Sequence, residues 1–91
     1  MLHDEAMWYV YILECEDASL YVGATTDVSR RFREHQEGIR AKYTRAKGAK
    51  KILYTEEQPN RSAAFAREAQ IKGWSRTKKL EFIKRAERKS S

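Results

Sequence analysis

Several things are scarce in this chain, and each scarcity excludes a class of function. There is one cysteine, Cys15, in 91 residues. An internal disulfide is therefore impossible, and Cys15 reads as a small buried hydrophobe rather than a reactive thiol. The sequence has no zinc-ligand spacing, no phosphate-cradling glycine loop and no serine-triad signature. No apolar run approaches the ~18 residues of a membrane span. No stretch joins a long apolar face to its basic residues, as a membrane-surface helix would. The first residues lack the basic and apolar regions of a secretion signal, so a cytoplasmic protein is expected. Linkers and internal repeats are absent too. The length fits one small domain: residues 1–7 are expected to fray and 8–88 to fold as a unit.

One further absence is local. Residues 1–27 contain no lysine or arginine but six acids, Asp4, Glu5, Glu14, Glu16, Asp17 and Asp27. All 19 basic residues fall in 28–91, against 7 acids, a net of +12 on a chain whose total is +6. A basic surface of that density attracts polyanions, and nucleic acid is the commonest partner. Aromatic residues make up 11% of the chain, which argues for a packed core rather than disorder.

Residues 8–14 (WYVYILE) are aromatic and β-branched, the types that fit a pleated sheet. Alternation puts Tyr9, Tyr11 and Leu13 on one face and Trp8, Val10 and Ile12 on the other, in a strand buried on both sides. A polar turn over 16–19 leads to a second strand, 20–23, which makes an antiparallel hairpin. Gly23 ends it, where close backbone approach or unusual dihedrals require a residue without Cβ. Thr26 or Asp27 caps a helix in which Val28 and Phe32 face the sheet. Arg31 and His35 lie four residues apart on an adjacent stripe, and Gly38 closes that helix. Residues 39–50 are strongly basic around Tyr43. A third strand is expected over 51–57, with Ile52 and Tyr54 on one face. Helices over 61–73 and 76–88 follow, the first capped by Asn60 or Ser62 with Ala64, Glu68 and Ile71 on one face. The second is capped by Ser75, with Leu80, Ile83 and Phe82 inward. The order β-β-α-β-α-α predicts an α+β fold, a small three-stranded antiparallel sheet flanked by helices.

Cleaving a phosphodiester requires a group that takes a proton from water, a cation on the phosphoryl oxygens and stabilisation of the leaving oxygen. Tyrosines with lowered pKa, an arginine and a metal-binding carboxylate meet those needs. Taken singly, Tyr11 and Tyr21 read as core tyrosines, and Glu68 as the ion-pair partner of Lys72 one turn on. The ordered set resembles the GIY-YIG nuclease domain. Its first tripeptide corresponds to Tyr9-Val10-Tyr11, which keeps the tyrosine, and its second to Tyr21-Val22-Gly23, which departs only at Val22. Arg31 and His35 follow at the spacing of that family, and Glu68 matches its metal-binding glutamate. The Ala41-Lys42-Tyr43-Thr44-Arg45 segment resembles small stand-alone bacterial members.

The resemblance implies the following roles. Tyr11 and Tyr21 lie side by side, one of them, Tyr11 in preference, assisting the attack of water. Arg31 stabilises the transition state, and His35 hydrogen-bonds or activates a tyrosine. Glu68 holds one Mg²⁺ or Mn²⁺. Tyr43 is a further catalytic candidate, and Gly23 is structural. The substrate is nucleic acid, DNA before RNA, held by Arg30, Arg33, Arg40, Lys42, Arg45, Lys47, Lys50, Lys72, Arg76, Lys78 and Lys79. A larger repair or recombination protein is a conceivable partner. The alternative reading is a non-catalytic nucleic-acid-binding or interaction module on the same fold.

Overall fold

The computed structural model describes residues 6–38 and 48–90. Three strands, β1 (Trp8–Cys15), β2 (Leu20–Thr25) and β3 (Ala49–Gln58), form one antiparallel sheet in the order β2-β1-β3. Three helices accompany it among the described residues: α1 (Val28–Gln36), α2 (Arg61–Lys72) and α3 (Arg76–Ser90). The expected fold class and element order are both present. No helix among the described residues is long and apolar enough to cross a membrane.

The most apolar strand, β1, takes the central place, where both edges are hydrogen-bonded and both faces covered. Val10 and Ile12 point into one core with Val22, Ala64, Ile71 and Ile83, to which α2 and α3 contribute. Tyr11 and Leu13 point the other way, into a smaller cluster with Ala49, Tyr21, Val28 and Phe32 of α1. The sheet is therefore a partition, with α1 on one side and the α2–α3 pair on the other. Cys15 is fully buried, as expected of a small hydrophobe.

Local chemistry sets the ends of these elements. In the hairpin turn, the Asp17 carboxylate accepts from the Ser19 amide at 3.0 Å and hydroxyl at 2.6 Å. Asp27 caps α1 by accepting from the Arg30 amide at 3.0 Å. Gly38, at φ 74°, closes it by donating to the His35 carbonyl at 3.1 Å. Asn60 accepts from the Ala63 amide, and Ser75 from that of Lys78.

Four expectations change. Strand β2 runs on to Thr25, so Gly23 lies inside it, opposite Tyr11. Strand β3 starts earlier, at Ala49, and its register slips opposite Ile12 and Leu13. That bulge breaks simple alternation. Leu53 joins Tyr54 against the larger core, and Ile52 is left 36% exposed. Along helix α3, Ile83 is buried and Lys79, Phe82 and Ala86 are half-buried in one stripe, and Leu80 falls beside it, 37% exposed.

Candidate catalytic site on the tyrosine hairpin

Tyr11 is fixed by its strand. Its ring lies across the neighbouring backbone at Gly23, where a Cβ would fall onto its hydroxyl and Cζ, closer than any real contact. Gly23 is thus required for close approach rather than for turn geometry, and its backbone is not in the left-handed region. Only 2% of Tyr11 is exposed. Its hydroxyl lies 3.0 Å from Nε2 of His35, which the last turn of α1 delivers into the same pocket. His35 is 1% exposed, and no buried side-chain polar atom among the described residues lacks a partner. Tyr21, paired with Leu13 on the adjacent strand, meets His35 edge-on at 4.9 Å between ring centres. The two tyrosine rings are 6.4 Å apart.

Arg31 lies one helical turn before His35 and reaches the Tyr11 phenol. Glu34, three residues on, takes the Arg31 Nε at 3.3 Å with one carboxylate oxygen and the Arg30 Nε at 3.3 Å with the other. This bridge engages Arg31 through its Nε. Sequence reasoning missed Glu34; its only signal was the i, i+3 and i, i+4 spacing. Beside the pair a small cleft of about 110 Å³ is lined by Thr25, Thr26, Asp27, Arg30, Arg31 and Glu34.

Burial pushes the Tyr11 phenol well above its usual range, and the neighbouring Tyr21 adds to this. Arg31 opposes the rise without reversing it, and Glu68 reinforces it. The expectation that nearby cations lower the phenol pKa therefore fails for Tyr11: loss of solvation outweighs one guanidinium. The neutral phenol donates to Nε2 when the imidazole carries its own proton on Nδ1.

Glu68 comes from α2, across the sheet from α1, yet it lies close enough to act on Tyr11 electrostatically. Its side chain is 18% exposed and pairs with Lys72 at 3.1 Å, so the ion pair read from the sequence exists as well. No cluster of three or more His, Cys, Asp or Glu residues capable of holding a metal occurs among the described residues. A single half-buried carboxylate fits Mg²⁺ or Mn²⁺ chemistry only where water and substrate phosphate complete the shell, which is the usual habit of Mg²⁺.

The other candidates scatter. Arg30 and Arg33 are exposed on α1, and Lys50 on β3. Lys72, Arg76, Lys78 and Lys79 belong to the α2–α3 layer, where Arg76 donates to the Ala18 carbonyl at 2.7 Å and ties α3 to the hairpin turn. Arg40, Lys42, Tyr43, Arg45 and Lys47 lie outside the described residues.

Similarity to known proteins extends over most of the chain. The GIY-YIG catalytic domain family matches residues 7–81. A UPF0213 protein of Streptococcus sanguinis is 51% identical over 76 residues, 84% of this chain and 87% of that protein. Another from Haloquadratum walsbyi is 54% identical over 74 residues, 81% of this chain and 83% of that protein. Among solved structures, the solution NMR structure of a UPF0213 protein from Bacillus halodurans superposes with a TM-score of 0.55. It is 44% identical, with 86% of this chain and 83% of that chain covered.

Proposed function

Because the chain belongs to the GIY-YIG catalytic domain family, we propose that it is an endonuclease hydrolysing phosphodiester bonds of DNA, with RNA second. The observation that carries this reading is the buried hydrogen bond between Tyr11 and His35, held beside Arg31. The bond satisfies two polar rings that would be costly to bury unpaired, and it sets the phenol beside a cation.

With a neutral phenol the proton transfer is a relay. The attacking water gives a proton to the Tyr11 oxygen as the Tyr11 hydrogen passes to Nε2 of His35. The resulting hydroxide attacks phosphorus, and the bond from phosphorus to the leaving oxygen breaks, the oxygen departing as an alkoxide that takes its proton from solvent water. Arg31 neutralises charge that builds on the non-bridging oxygens, where a fixed guanidinium does most. Tyr21 packs against His35 and keeps the imidazole aimed at Tyr11. Glu68 would hold one Mg²⁺ or Mn²⁺, and that ion would supply charge neutralisation at the scissile phosphate and leaving oxygen.

The relay predicts non-additive losses. Tyr11→Phe and His35→Ala should each slow single-turnover cleavage about 10²–10⁴-fold. The double variant should be no slower than the worse single variant, because the two residues act as one unit. Multiplying losses would mean that they act separately and would discard the relay.

A further inference from the structure

The layer opposite α1 carries a second concentration of rings and cations that the reaction does not use. Phe82 of α3 is its centre. Tyr54 meets it edge-on at 4.9 Å between ring centres, and Trp74 does so at 5.1 Å. Arg67, anchored on Glu56 at 2.8 Å, lies 5.4 Å from the Trp74 ring centre and 5.5 Å from that of Phe82, and so fixes both rings. Lys78 lies 4.7 Å from the Trp74 ring centre.

Two clefts flank Phe82, and Arg85 lines both. One, of about 350 Å³, includes Ser75, Lys78 and a single acid, Glu81. The other, of about 290 Å³, includes Tyr54 and Lys89. Helix α3 carries seven basic residues against two acids, so the groove lies in a positive field. Half-buried rings bordered by cations form the surface on which unpaired bases stack while their phosphates follow the positive charge. An acidic peptide would use the cations and leave the rings idle.

We propose that the groove along α3 binds a single-stranded nucleic-acid segment, its bases against Tyr54 and Phe82 and its phosphates on Lys78, Arg85 and Lys89. The proposal rests on the nucleic-acid reading above but not on cleavage. Because α3 and the α1-facing cluster lie on opposite sides of the sheet, the groove is separate from the reaction site and would hold a strand extending beyond the cut.

The test is fluorescence anisotropy with a labelled oligo-dT of about 12 nucleotides, within the site sizes such surfaces use. An abasic strand of equal length serves as the comparison, and all proteins carry Arg31→Ala to suppress cleavage. R85E/K89E should weaken dT binding about tenfold or more, whereas K51E/R61E, with the same change of charge outside the groove, should cost less than about threefold. The abasic strand should bind about tenfold more weakly than dT, a gap that Phe82→Leu closes while its circular dichroism shows the variant still folded at the assay temperature. Equal losses for the two double variants, equal binding of abasic and dT strands, or equally effective displacement by polyglutamate would each overturn the groove. If the parent binds duplex but not single strands, the groove falls and the nuclease reading stands. If the parent binds no nucleic acid at all, both fall.

Discussion

At position 23 a Cβ would collide with the Tyr11 hydroxyl, so glycine there and tyrosine at 11 are one requirement seen from two strands. The Gly23→Ala variant should lose about 1–3 kcal/mol of stability, as overpacked sites do, measured by denaturant midpoint. It should also move Tyr11 off His35, so cleavage should fall further than stability explains. If the same variant in a Tyr11→Phe background were equally destabilised without any loss of cleavage relative to that background, the ring is what the glycine accommodates and the hydroxyl is what the reaction uses. Glu68 belongs to this scale as well. Glu68→Ala, or excess EDTA, should abolish turnover, and activity persisting in EDTA would remove the metal from the account. The sequence made these residues legible as types at ordered positions. It could not show that Tyr11 stays a phenol, because burial is a property of the packed sheet; nor could it show that Glu34 bridges Arg30 and Arg31.

Elements explain the rest of the stability. The α2–α3 pair is held to the sheet by Ile71 and Ile83 and by a polar network centred on Glu56. Its carboxylate accepts from the Tyr54 hydroxyl at 2.6 Å, Gln58 at 2.7 Å and Arg67 at 2.8 Å. Burial alone would raise the Glu56 pKa, but these bonds, Arg67 first, hold it below the usual carboxylate value of 4.5. Its stabilising contribution is therefore complete above pH 4.5 and is lost as pH falls through the lowered native value. Burial and the same carboxylate push Tyr54 up from 10.0 to about 12, so its contribution is complete below pH 10 and lost as pH rises toward 12. Glu56→Gln should cost about 1–3 kcal/mol near neutrality, by urea unfolding, with the gap to the parent closing below pH 4.5. A gap independent of pH would mean that the charge is not what the network uses. Ile71→Ala, at a fully buried site, should cost about 2–5 kcal/mol. Element order and caps could be read from the chain because they are local: Asp27, Asn60 and Ser75 each cap the helix that follows. The β3 bulge and the inward stripe of α3 could not, since both depend on which neighbour each strand or helix meets.

Across the whole molecule, the sheet divides the labour. The tyrosine hairpin and α1 bring Tyr11, Tyr21, Arg31 and His35 together, and α2 supplies Glu68 from the other side. The acidic-to-basic crossover near residue 28 falls at the start of α1, the helix that carries Arg31 and His35. Affinity for any nucleic acid should fall steeply with salt, as counterion release requires. The central claim is that Arg31 serves the transition state rather than binding. The measurement is single-turnover nicking of supercoiled plasmid in Mg²⁺ or Mn²⁺ by the parent and by Arg31→Ala, at protein concentrations that saturate both. The account predicts cleavage slower by at least about 10²-fold with affinity changed by less than about threefold; an Arg31→Ala protein that nicks as fast as the parent would contradict it.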